Sequence, residues 1–330
     1  MKIIQLDADA AARFASDARQ PVFAIDPVLL RRHSPTAHFA AIEDDRVRSR
    51  CSIWTQATPK LDEVHVGVIG HYAAADADTG AMILNHASQE LHRRGFRTLV
   101  GPMDGNTWRR YRLMTDRGDE PTFFLEPDNP DAWPSHFEQA GFTSLTRYFS
   151  ALNNDLTTTD PRIPAAEARL AGDGIRIRAI DPARFEDELK SVHALSLESF
   201  ASNFLYTPIA QEEFLAMYAP LKPRLRRELI LLAHDRDEQL IGFMFGVPDF
   251  NQATRGQPID TAIAKSMAVR PGRTGGGLGS VLMDRFQQTA RALGYTRVIH
   301  ALMHEENRSM RISHRFGRRM RQYTLYVKRV

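Results

Sequence analysis

The sequence predicts an α/β fold of the α+β kind built twice in tandem, each domain a mixed, mostly antiparallel sheet with helices on both faces. Three observations predict it. First, the segment from Gly279-Ser-Val-Leu-Met-Asp-Arg-Phe to Gly294-Tyr295-Thr-Arg-Val resembles the one from Gly80-Ala-Met-Ile-Leu-Asn-His-Ala to Gly95-Phe96-Arg-Thr-Leu at a constant offset of 199 residues. Leu282, Phe286 and Ala290 correspond to Ile83, Ala87 and Leu91, a spacing of four that keeps each set on one helical face. Second, short apolar runs of strand length alternate with segments of helical period. Third, 330 residues exceed the usual size of one core, and 43% hydrophobic with 25% charged residues is an ordinary globular composition.

The elements follow in order. In the first half, strands are predicted over 37–42, 48–55 and 64–71, a helix from Gly80, a strand over 98–103 leading to Asn106, and a closing strand over 145–152. Residues 157–174 are rich in turn formers and poor in large apolar side chains, so they read as a linker between domains 1–156 and 175–330. The second half reads as a strand over 175–180, helices over 183–200 and 210–218, strands over 228–233 and 240–246, and a strand ending at Val269. A glycine turn and helix follow, then a strand over 298–303, a short helix over 307–316 and a last strand over 322–328.

Bulk composition excludes several classes. No apolar run reaches the roughly 20 residues of a membrane span, and Asp7 interrupts the N-terminal apolar stretch before a signal peptide can form, so the expected compartment is the cytoplasm. Cys51 is the only cysteine, which leaves no intrachain disulfide and no thiolate cluster; no metal is expected. The net charge is +3, with arginines gathered at 308, 311, 315, 318, 319 and 321. Such a cluster fits nucleic acid, a solvated face or an attraction for an anionic cofactor; nucleic acid is not the expected partner.

The chemistry concentrates at Val269-Arg-Pro-Gly-Arg-Thr-Gly-Gly-Gly-Leu-Gly279, a strand end, a glycine turn and a helix start. Such a junction presents unpaired backbone N–H groups at the positive end of a helix dipole, and the missing side chains let a pyrophosphate approach. No Gly-Lys-Ser/Thr follows, so it is not a P-loop, and the third glycine of Gly-x-Gly-x-x-Gly falls on Ser280 or Leu282, so it is not a dinucleotide fingerprint. The stretch does resemble the acetyl-CoA loop of the GNAT superfamily of N-acetyltransferases, with Val269-Arg-Pro271 and Thr274-Gly-Gly-Gly277-Leu-Gly279 in the places of Val-x-Pro and Arg/Gln-x-x-Gly-x-Gly/Ala. Asn307, the short helix, Gly317 and the Tyr323-Thr-Leu-Tyr326 strand extend the resemblance over nearly all of the second half. The usual Arg or Gln is Thr274 here, with Arg273 one place earlier.

The resemblance implies a direct N-acetyltransferase using acetyl-CoA and a small-molecule or peptide amine. Backbone groups of Met267, Ala268 and Val269 would polarise the thioester, and Arg273, Thr274, Gly275, Gly276, Gly277, Leu278, Gly279 and Ser280 would cradle the pyrophosphate. Asn307 would bond the pantetheine, cap its helix, or both. For the base that deprotonates the amine, His300, His304, Glu305 and Glu306 are candidates; the two histidines, four apart on a strand, are expected on one face. Many members place an acidic tyrosine on the helix after the asparagine, where this chain has Ser313-His314, so His314, Tyr323, Tyr326 or water takes that part. The first half has one glycine and two aspartates at the equivalent turn, Tyr72 to Gly80, and is expected to bind CoA weakly or not at all. The plan is thus a tandem one, similar to that of mycothiol synthase, with one competent and one degenerate module. The acceptor pocket would be bordered by Ser199 to Tyr206 and Pro248 to Asn251, with Trp108 to Arg112 and Trp133 to His136 making contact from the first half. A non-catalytic acyl-CoA sensor is the alternative.

Overall fold

The computed structural model describes residues 1–15, 25–272 and 276–330, without the side chains of residues 12–15, 308, 309 and 311. In chain order its elements are β1 (Lys2–Leu6), α1 (Ala8–Ala15), α2 (Pro27–His33), β2 (Ala37–Glu43), β3 (Arg46–Trp54), β4 (Lys60–Leu61), β5 (Val64–His65), β6 (Gly67–Ala74), α3 (Ala77–Arg93), β7 (Thr98–Gly101), β8 (Leu113–Asp116), α4 (Trp133–Gln139) and β9 (Thr143–Asn153). There follow α5 (Ile163–Gly172), β10 (Arg176–Ala179), α6 (Phe185–Ser199), α7 (Gln211–Tyr218), β11 (Ile230–His234), β12 (Leu240–Pro248), α8 (Phe250–Thr254), β13 (Thr261–Val269), α9 (Leu278–Ala292), β14 (Arg297–His304), α10 (Arg308–Ser313) and β15 (Arg318–Arg329).

The main sheet runs β1-β2-β3-β6-β7-β15-β9-β14-β13-β12-β11-β10, with β8 alongside β15. The order reads the same from either end: five strands of the first half and five of the second flank a central pair, and within each five only the last pairing, β6 with β7 and β13 with β14, is parallel. The repeat seen in the sequence is therefore a structural one. The central pair exchanges partners. β9, the predicted closing strand of the first half, pairs with β14 of the second, while the C-terminal strand β15 pairs with β7 of the first.

Within 157–174, Ile163–Gly172 forms α5, whose buried Ile163, Ala166 and Leu170 join the cluster under α9. Its small apolar side chains looked like a linker because a close helix contact needs little bulk. Two further joints lock the halves. The loop after β8 inserts Phe123 among the residues of α6, α7 and β12. Trp108 packs on Phe200, Tyr206 and Phe214 and donates from Nε1 to Thr207 O at 2.9 Å, while Arg109 grips Glu213 through Nε and Nη2 at 2.7 and 3.0 Å. The expected contact through Trp108 to Arg112 is present. Trp133 to His136, in contrast, form α4 and stay within the first half, against Tyr72 and Ala74.

Candidate active site

The site is built where two strands part. β13 pairs with β14 for four residues, Thr261 to Ala264 against Arg297 to His300, and the pairing then stops. Each strand breaks its outer register there. β13 bulges against β12 with Lys265 as the extra residue, and β14 shifts against β9 between His300 and Met303 with Leu302 at φ 59°. Bulges of this kind bend a strand and re-aim its side chains, which opens a V between Lys265–Val269 and the end of β14. Met267, Ala268 and Val269 stay bonded to β12 on one edge, so alternate backbone groups of the other edge face the V.

At its mouth stands the N-terminus of α9. Gly277 is the N-cap at φ 108°, a conformation that suits glycine, and no side chain caps the helix. The first-turn N–H groups, those of Leu278, Gly279 and Ser280, have no partner within a helix by construction. A Cβ on Gly276 would meet nothing within 4 Å, and one on Gly279 only ordinary contacts from Met267, Ile312 and Val269. These positions fit an approaching pyrophosphate. Arg169 of α5 donates to Gly276 O, which places a cation beside the turn that sequence reasoning missed because α5 was read as linker. Arg273, Thr274 and Gly275 lie outside the described residues. Asn307 precedes α10, where its carbonyl accepts from Met310 N–H at 3.0 Å.

The first half shows the same plan closed. Gly67 and Leu99 pair 32 positions apart and Ala262 and Val298 36 apart, so the second half has four more residues in this crossover. β6 continues through Ala74 and only two residues precede α3, whose N-cap Asp76 accepts from Thr79 N–H and pairs with Arg48 at 2.7 Å. A carboxylate thus holds the place of an anion, and its pKa is lowered by these bonds. Past the parallel pair the strands are tied together: Met103 N–H donates to Ile69 O at 2.8 Å, and His71 N–H to Asp104 Oδ1 at 2.5 Å. His33, His71 and Asp104 fill this closed V and are the group able to hold a metal ion among the described residues. Three of the four ring nitrogens are already engaged, His33 Nδ1 with His71 Nε2 at 2.8 Å and His71 Nδ1 through Ser52 with His38. Burial pushes all three histidines down to about 3, so they are neutral.

The candidate proton carriers separate. His300 lies on the α9 and α10 side, its Nδ1 2.9 Å from Ser313 Oγ and its Nε2 buried without a partner; burial pushes it down to about 4. His304, beyond the Leu302 bulge, stacks on Phe204 of the α6–α7 loop and bonds Thr146 Oγ1 through Nε2 at 2.8 Å. Simple alternation put the two on one face, and the bulge overturns that. Thr146 Oγ1 in turn donates to Glu305 Oε1 at 3.0 Å, a line leading outward. His314 is exposed at the end of α10. Tyr323 is fully buried, donating to the Glu126 carboxylate and 3.0 Å from Ser150 Oγ, which accepts from Leu302 N–H. Tyr326 belongs to the first half's core against Phe137.

Glu126, on the inserted loop, was not foreseen. It meets Arg321 at 2.9 Å with both side chains fully buried. The C-terminal arginines are largely spent this way: Arg315 pairs with Asp160 at 2.8 Å, Arg318 with Glu120 and Arg319 with Asp116. Pro248 to Asn251 receive the same loop, Asp249 accepting from Phe124 N–H at 2.8 Å, and so support it from outside the V. Cys51 is buried and its thiol pushed up to about 12, which leaves it inert.

Residues 192–317, which carry most of α6, α9 and the parting strands, match the model of the acetyltransferase (GNAT) family. The match covers the greater part of the second half and none of the first. The chain's fold likeness covers both halves. A tandem GNAT protein from the clavulanic acid biosynthesis pathway superposes over 99% of this chain and 98% of its own with a TM-score of 0.51 at 13% identity. A GCN5-related N-acetyltransferase from Sphaerobacter thermophilus does so over 99% and 95%, with a TM-score of 0.51 at 13% identity. Among curated proteins, the bacterial ceramide synthase of Caulobacter vibrioides (strain NA1000 / CB15N) is 24% identical over 225 residues, 67% of this chain and 58% of that protein, so the match spans little more than half of its length. No described helix is long and apolar enough to cross a membrane.

Proposed function

We propose that this protein is a GNAT acyltransferase, an acetyl-CoA-dependent enzyme that works from residues 175–330 and transfers the acyl group directly to an amine. The observation that carries the reading is the V between β13 and β14 with an uncapped glycine N-terminus at its mouth, present in the second half and closed in the first. Acetyl-CoA would supply an activated thioester. The α9 N-terminus, Gly276 to Ser280 and Arg169 hold the phosphates; edge N–H groups of Met267 to Val269 bind the carbonyl oxygen as it gains charge. The amine nitrogen forms the new C–N bond, the C–S bond breaks, and the thiolate leaves to solvent. His304 takes the amine's proton on Nδ1, displacing the long 3.3 Å bond from Glu306 N–H, while its Nε2 proton passes to Thr146 and the Thr146 proton to Glu305. Residues 1–156 act as a wall and brace and bind no CoA, because Asp76 holds the helix terminus that a pyrophosphate would need.

The test is a melting shift with acetyl-CoA followed by free-thiol release against a panel of amines. At a hundred times its dissociation constant a ligand of the folded state stabilises by about 2.7 kcal/mol. Absence of any shift sinks the reading, and a shift without turnover on any amine would favour the non-catalytic sensor, for which the lack of a tyrosine on α10 already speaks. Because one relative bears the name ceramide synthase, longer acyl-CoA donors belong in the same assay.

A further inference from the structure

The wall of the V holds more positive charge than the protein's own carboxylates neutralise. Arg112 is 5% exposed, its guanidinium held over the rings of Tyr111 and Tyr148 at 4.1 and 4.2 Å. Its side chain makes one hydrogen bond, from Nη1 to Tyr111 Oη at 2.7 Å, while Nε is buried with no partner. Lys265, the half-buried bulge residue of β13, has its pKa depressed to about 8, first by desolvation and then by the nearby Arg112. Among the described residues neither cation has an ion-pair partner. Glu126, whose field also reaches Lys265, is already held by Arg321 and Tyr323. A buried cation is costly unless an anion meets it, and the Nε–Nη2 edge of a guanidinium is shaped for two oxygens.

We propose that the acceptor amine carries an anionic group, a carboxylate or a phosphate, and that Arg112 and Lys265 receive it. The inference rests on the acyltransferase reading above. Lys265 stands two residues before Met267 on an extended strand, so its Cα is roughly 7 Å from the backbone assigned to the thioester, within the span of a compact amino acid or aminoalkyl phosphate. The stacked tyrosines fix the guanidinium plane, and the ammonium adds charge without direction.

The experiment uses the full chain saturated with CoA or acetyl-CoA and two matched pairs of amines: an amino acid against its amide, and an aminoalkyl phosphate against the amino alcohol. Calorimetric binding and thiol release are both read. The acid of one pair should bind at least tenfold more tightly than its neutral partner, and whichever pair shows it identifies the anion. Lys265→Met should narrow that ratio at least fivefold, and Arg112→Lys, which keeps the charge without the two-toothed edge, should narrow it as well. Neutral members binding as well as the acids in both pairs would overturn the inference, as would a preference unchanged in both variants. Loss of the acetyl-CoA melting shift would strike the acyltransferase reading instead.

Discussion

Gly276 and Gly277 are neighbours with different duties. Gly277 needs its positive φ, and a Cβ there would come within 3.2 Å of Ala166, so any substitution also strains the turn. Gly276 opens on space. Gly276→Asp should therefore leave the melting temperature nearly unchanged while abolishing the shift with acetyl-CoA, since it sets a carboxylate where the phosphates belong; a retained shift would show that the cradle is misplaced. His304→Gln should lower kcat about a hundredfold and leave the acetyl-CoA shift intact, read by thiol release across pH. The buried histidines give a third expectation. His33, His38 and His71 are held to about 3 and His300 to about 4, whereas the unfolded chain protonates near 6.5. The unfolded state then binds more protons between those values, so stability falls as pH drops below 6.5, by about 1 kcal/mol per histidine between pH 7 and 5.5. Denaturant melts at the two pH values measure it, and equal stabilities would contradict the neutral histidines. Glycine spacing was legible at this scale. The charge of Lys265, Arg112 and Glu126 was not, because residues 112, 126 and 265 meet only in three dimensions.

Helices and strands were mostly visible as periodicity, and what periodicity missed was packed by close approach. Gly246 of β12 is an instance: a Cβ there would lie 2.0 Å from Phe286 Cε2 and 2.9 Å from Leu229 O, so α9 sits directly on the strand. Gly246→Ala should cost about 1–3 kcal/mol by denaturant unfolding, because the backbone carbonyl cannot yield as a side chain would; a neutral change would mean that α9 shifts freely. The bulges at Lys265 and Leu302 were invisible for a related reason. Alternation is a rule for regular pairing, and both strands break it where their partners end. α5 looked like linker sequence, since Ala166 and Leu170 are a sparse apolar face until α9 supplies the other side.

Across the whole molecule the central pair decides stability. β15 completes the sheet of the first half and β9 that of the second, so each half depends on the other's last strand. The intact chain should unfold in one cooperative transition, whereas 1–156 and 175–330 expressed apart should each lack a strand, expose an unpaired edge and fail to melt cooperatively, with co-expression restoring the transition. Two independent melts from separate halves would disprove the exchange. By itself the sequence determined the duplication, the order of most elements and the one glycine turn without side chains, because these are written in local spacing. Only the tertiary structure decided which strands close which sheet, that the first V is tied shut by His71 and Asp104, and that Arg112 stacks on Tyr148, the strand partner of His304. Those outcomes depend on burial and pairing between residues far apart in the chain, a cost and a gain that no local pattern records.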